Sequence, residues 1–309
     1  MSGIVLKQAV IMMVLIAVGA GCFKMRLLSK ETVNQISGLV LKVVNPVVIL
    51  MAYQREFKPE LVKNLGFAFV ASAVSYVVAF VVAYVGIPQK QGREIVIERF
   101  SSIYSNCGFM GIPLVQAMFQ SEGVFYLTAY LTMFNALVWS HGVMQMSGER
   151  SLQSLGKILR SPAIIAIIAG MILFFCQIML PEVIAETFEM IGSLNSPLAM
   201  FVAGATIIQT NLPEVVKKPR IFYVCLLKLL VIPILTILVL TLIPADTTVE
   251  MTVTAATAAP SAAICTMQCL NYKKNASYAS EIFAVTTLFS VVTMPLMMVV
   301  YEKIGILLG

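Results

Sequence analysis

Apolar residues run along this chain in blocks of about twenty, each closed by a short polar or basic stretch. The blocks lie near 4–23, 33–53, 64–87, 100–119, 123–146, 161–180, 187–209, 221–243, 250–270 and 279–300. A helix needs about twenty mainly apolar residues to cross the hydrocarbon core of a bilayer, so the pattern predicts an all-α polytopic membrane protein with ten transmembrane helices. A membrane barrel would instead show alternating segments of about ten residues. The connections are short. The longest, "SGERSLQSLGKILR" at 147–160, reads as a loop rather than an inserted domain.

Composition agrees with the pattern. Of the 309 residues, 59% are hydrophobic and 12% charged, whereas soluble proteins carry about a quarter of their residues charged. With a mean hydropathy of +0.92 the chain is no water-soluble globule, because a core of this size cannot hide so much apolar surface. The six cysteines fall within or at the ends of apolar blocks and suggest no disulfide framework. Cys265 and Cys269, one helical turn apart, could offer a soft metal two ligands, but small buried hydrophobes are the plainer reading. No metal and no cofactor is expected.

Charge sets the orientation, since cytoplasmic loops concentrate lysine and arginine. With the amino terminus outside, the inner loops hold Lys24, Arg26 and Lys30; Lys90, Arg93 and Arg99; Arg150, Lys157 and Arg160; Lys217, Lys218 and Arg220; and Lys273 with Lys274. The outer side keeps Lys7, Arg55, Lys58, Lys63 and Lys303, and its "PEVIAETFE" segment carries acids alone. Both termini are therefore placed outside a plasma (inner) membrane. The net charge of +6 follows from topology and requires no nucleic acid. The first block resembles a signal sequence ending in "GAGC". A lipoprotein cleavage site would want a larger apolar residue where Gly19 stands, so the block is read as a retained helix.

Ten helices divide into two halves of five, 1–146 and 161–309, joined by the cytoplasmic loop 147–160. An odd number per half inverts the second half in the membrane. Proline positions support the repeat: Pro46 and Pro197 lie 151 residues apart in the second and seventh blocks, and Pro113 and Pro260 lie 147 apart in the fourth and ninth. Paired interruptions in corresponding segments point to the binding site of a secondary transporter.

The fourth block contains "SNCGFMGIPL" at 105–114. Proline lacks an N–H and its ring clashes with the preceding turn, while Gly108 and Gly111 let the backbone leave helical geometry cheaply. Backbone groups freed in this way cannot face lipid. Two opposed, broken helices crossing at the midplane, at Pro113 and Pro260, would leave positive half-helix ends that attract an anion, a carboxylate above all. Asn106 adds a neutral donor, and Thr257 and Ser261 could add hydroxyls from the other half. These are substrate-binding roles, not catalytic ones.

The segments "NCGFMGIPL", "SPLAMFVAGATI" and "EIFAVTTLFSVVTMPL" resemble the auxin efflux carrier family, which includes plant auxin exporters and bacterial permeases for malate or malonate. The resemblance covers about 300 residues. It implies a scaffold of helices 1, 2, 6 and 7, a transport domain of helices 3–5 and 8–10, an elevator-type alternation of access, and substrate at the crossing of helices 4 and 9. The family's motif asparagine, crossover prolines and motif glycine match Asn106, Pro113, Pro260 and Gly111. A homodimer through the scaffold fits the same resemblance. The chain lacks the long cytoplasmic loop of the plant exporters and the acidic residue of their third helix, which makes auxin a poor guess for the substrate.

Lys42 and Lys228 both lie about ten residues into their blocks, near mid-depth, and an intramembrane lysine is a functional hypothesis by default. Either could balance a second carboxylate, although snorkelling or pairing with a carbonyl is the plain alternative. Glu281 and His141 are candidates for coupling to a proton, with sodium as the other coupling ion to consider. Glu98, Asn45 and Asn195 are read as interfacial or kink-supporting. An enzyme would need paired aspartates, a His-Glu-x-x-His helix, or a nucleophile with its base, and none is present. The expected function is transport of a small organic anion, with a membrane metabolite sensor or an ion channel as alternatives.

Overall fold

The computed structural model describes residues 2–91, 93–148, 156, 159–242 and 245–308, so most of the 147–160 loop, with Arg150 and Lys157, lies outside the described residues. The described chain is helical, and its only strand-like pairing is an isolated antiparallel bridge between Ser105 and Ser261. Among the described residues, six helices are long and apolar enough to cross a membrane: Gly3–Lys24, Lys30–Ala52, Pro59–Gly86, Glu182–Ile208, Pro219–Leu240 and Ala276–Ile304. Many large apolar side chains on them, among them Leu6, Val14, Val77, Val81 and Val85, point outward. A surface of that kind is at home against lipid. The chain is a multi-pass membrane protein.

The remaining apolar stretches are shorter or interrupted. Helix Ile95–Ile103 stops, and the chain resumes as a wide turn, Cys107–Gly111, that runs into Ile112–Leu137. Within the latter, Gln120 takes a left-handed φ of 54° and turns the chain back on itself. Gly123 makes that return possible, since a Cβ there would lie 2.6 Å from Val115 Cγ1. Late in the chain, Thr247–Ala258 and Ile264–Asn271 flank a second interruption.

Proline explains most of the irregular turns. Val40–Val44, Cys107–Gly111 and Leu227–Val231 are wide, π-type turns, followed two residues later by Pro46, Pro113 and Pro233. The ring of each proline would clash with the carbonyl four residues back. That carbonyl belongs to Lys42, Phe109 or Leu229, the middle residue of each wide turn, so widening relieves the clash without breaking the helix. This corrects one expectation. The fourth stretch does not open at Gly108–Pro113 but earlier, at Tyr104–Asn106, and Pro113 sits in the first turn of the helix that follows.

Two kinds of contact fix the helices. The first helix and Asn195–Ile208 touch backbone to backbone, with Gly204 against the Ile16 carbonyl and Gly19 placed so that a Cβ would fall 2.5 Å from Phe201 Cα. Small residues permit such close approach in lipid, where dispersion rather than the hydrophobic effect drives association. Elsewhere ion pairs bind the helix ends. Arg220 grips buried Glu98 through Nε and Nη2 at 2.8–3.0 Å, and Tyr278 donates to the same carboxylate at 3.1 Å.

Candidate functional site

The two interruptions meet. Past Ile103 the chain is extended at Tyr104 (φ −93°, ψ 120°), and past Ala258 it is extended at Ala259 (φ −61°, ψ 150°). The two segments run antiparallel: Asn106 N–H donates to the Pro260 carbonyl at 2.7 Å, and Ala262 N–H donates to the Tyr104 carbonyl at 2.9 Å. Each break thus supplies partners for backbone groups that the other leaves open, as a low-dielectric surrounding demands. Gly111 faces Ala256 across the crossing, where a Cβ would stand 3.9 Å from Ala256 Cα, an ordinary contact distance.

The hydroxyls of the crossing are committed to the protein. Ser261 Oγ–H donates to the Ser101 carbonyl at 2.8 Å, and Ser261 N–H donates to Thr286 Oγ1 at 3.2 Å. Thr257 O–H donates back to Val253 at 2.8 Å. The sequence offered Thr257 and Ser261 as substrate ligands; here they brace the crossing.

The two lysines part company. Lys228 is completely buried on the wide turn Leu227–Val231. Its ammonium donates to Ser105 Oγ and, at 3.2 Å, to the Thr257 carbonyl. Ser105 Oγ–H donates to that same carbonyl at 3.3 Å and lies 3.2 Å from the Tyr130 hydroxyl. Lys42, at a similar depth in the second helix, has an exposed side chain and takes no part.

Around Asn106 the chemistry differs. Its side chain is 6% exposed, and no hydrogen bond to its amide is found among the described residues. Beside it, a Cβ on Gly108 would stand 3.1 Å from Asn45 Nδ2. Asn45 Oδ1, both amide atoms of Asn195 and the Ser196 hydroxyl are buried without partners. Asn195 opens a helix that packs against Cys107–Gly111. Buried polar atoms are normally paired, so these open amides beside the crossing mark a candidate site. Sequence reasoning assigns Asn45 and Asn195 to helix kinks. Their shared placement next to Pro46 and Pro197 is the signal that could have drawn attention to them.

The coupling candidates are both engaged. Glu281 receives Lys218 Nζ on both oxygens at 2.7 Å. His141 is bonded at each ring nitrogen, Nδ1 to the Tyr104 hydroxyl at 2.8 Å and Nε2 to the Tyr84 hydroxyl at 3.0 Å. Tyr104 gives its own proton to the Leu137 carbonyl at 3.0 Å, so the imidazole satisfies the chain as a neutral ring with its proton on Nδ1. No cluster of metal-ligating side chains occurs among the described residues.

Dipoles order this arrangement. The helices that begin at Cys107 and Ile264 turn their positive ends toward the crossing, and those that finish at Ile103 and Ala258 turn their negative ends toward it. A site so divided can hold an anion on one side and a cation on the other. Comparison with known proteins identifies the family. Among curated proteins no match is found. A family model described as a membrane transport protein matches residues 4–298. That match runs through both interrupted helices and leaves only the ends of the chain outside it, so the chain belongs to the auxin efflux carrier family of membrane transport proteins.

Proposed function

We propose that this transporter carries a small organic anion, a mono- or dicarboxylate, across the plasma (inner) membrane and holds it on the Asn106 side of the crossing. The observation that carries this reading is the Asn106 amide, which no protein group binds among the described residues and which sits on a residue only 6% exposed, at the positive ends of two half-helices. A neutral amide beside helix N-termini binds a carboxylate without requiring a permanent charge at mid-depth. Asn45 and Asn195 supply further amide donors from the facing helices.

The movement we propose is an elevator. Helices 3–5 and 8–10 travel as one body past a scaffold of helices 1, 2, 6 and 7, in two inverted halves, 1–146 and 161–309, with both termini outside. Supporting this, polar links gather within the proposed moving body: Lys228 with Ser105, Glu98 with Arg220 and Tyr278, Tyr104 with His141, and Tyr223 with the Gly86 carbonyl at 2.7 Å. Links to the scaffold are fewer: Ser161 to Asn135 at 3.0 Å, the buried bond of Tyr53 to Thr128 at 2.7 Å, and Arg55 to Ser121 at 2.9 Å among them. A scaffold that must stay put suits a homodimer interface.

The test is uptake into proteoliposomes. Asn106→Ala abolishes flux of the carboxylate that wild type carries, while the ligand-free melting temperature stays that of wild type. Full transport by the variant removes the crossing from the account.

A further inference from the structure

Among the described residues, the buried ammonium of Lys228 has no carboxylate beside it. The buried acidic side chains are engaged elsewhere: Glu98 with Arg220 and Tyr278, Glu281 with Lys218, and Glu250 with the Tyr301 hydroxyl. Its oxygen partners are neutral, one hydroxyl and one main-chain carbonyl. Both partners belong to the ends of half-helices. Thr257 is the last residue but one of Thr247–Ala258, so its carbonyl is one of those a helix C-terminus leaves open. Ser105 stands two residues beyond Ile95–Ile103.

Each helix C-terminus carries about half a negative elementary charge. The C-terminus of Thr247–Ala258 meets Lys228 directly through the Thr257 carbonyl, and Ser105, just past the end of Ile95–Ile103, holds the same ammonium through its hydroxyl. In transporters with interrupted helices, unwound carbonyls and half-helix C-termini are the groups that coordinate a monovalent coupling cation. Hydroxyl and carbonyl oxygens are ligands that an alkali cation accepts.

We infer that Lys228 is a tethered counter-cation: its ammonium fills, from the eighth helix, the place at the crossing where a coupling cation of the alkali class would otherwise bind. The crossing is then electrically complete without a soluble cation, and transport needs no sodium gradient. That consequence for coupling rests on the crossing being the transport site, but the charge balance itself does not.

The test uses no substrate, so its failure is separable from failure of the carboxylate reading. Wild type, Lys228→Ala and Lys228→Met are melted in detergent in equimolar choline chloride, sodium chloride and ethylammonium chloride. Wild type melts alike in all three. Lys228→Ala melts lower in choline and recovers in sodium or ethylammonium, because truncation opens room for a free cation between Ser105 and Thr257. Lys228→Met fills that room without charge and stays low in every salt. The inference is overturned if Lys228→Ala responds no differently to sodium than to choline, if Lys228→Met is as stable as wild type, or if wild type is itself raised by sodium. Should Lys228→Ala not survive purification, the wild-type arm decides: equal melting in sodium and choline is expected, and a sodium-specific rise contradicts the inference.

Discussion

Asn106 and Lys228 stand a few residues from the same backbone bridge and do opposite work. The amide of Asn106 is left open, whereas the ammonium of Lys228 is given to Ser105 and Thr257. If the open amide receives a carboxylate, Asn106→Asp is a sharper probe than removal. The side chain keeps its shape but now repels an anion at short range, so both Asn106→Ala and Asn106→Asp lose carboxylate flux in proteoliposomes. An Asn106→Asp carrier that kept or gained flux would mark the substrate as neutral or cationic. At this scale the sequence was partly legible. Polar residues within apolar blocks announced Asn106 and both lysines. Hydropathy could not separate Lys42 from Lys228, because depth is a matter of position in the block and facing is a matter of packing. Ser105 and Tyr104 gave no sign at all, since their roles depend on which carbonyls and hydroxyls the break brings near them.

Helices in this protein are shaped by where proline and glycine stand. Pro46, Pro113 and Pro233 each widen the turn before them, while Pro260 lies within an open segment. A proline in the sequence therefore reports a disturbance without saying whether the helix widens or opens. For that reason the sequence alone places the opening several residues later than Tyr104–Asn106. Glycine is legible only through its neighbours. Gly204 lies against the Ile16 carbonyl, whereas Gly21 on the first helix has nothing near a Cβ. Gly204→Ala accordingly lowers stability by about 1–3 kcal/mol through overpacking, while Gly21→Ala is neutral or slightly favourable. Thermal melting of the two variants in detergent checks the contrast, and equal behaviour would mean that the first helix and Asn195–Ile208 are not in backbone contact.

Across the whole molecule, the hydropathy pattern and the charge asymmetry carried the membrane class directly, because lipid imposes a length and an apolar face on every helix that crosses it. Relative motion leaves no such mark in a sequence. It is inferred from the density of polar links on either side of the proposed boundary. Ser161 and Asn135 bridge that boundary, so cysteines placed at both positions and joined by a short thiol crosslinker stop flux, and reduction or release restores it. Unchanged flux in the crosslinked carrier would mean that the two bodies do not slide past each other.

The most direct measurement is a thermal-shift panel of mono- and dicarboxylates on purified wild type, with Asn106→Ala alongside. The account predicts a rise in melting temperature for at least one carboxylate in wild type and none in the variant. Equal rises in both proteins, or no rise from any carboxylate while a neutral or cationic solute gives one, would contradict it.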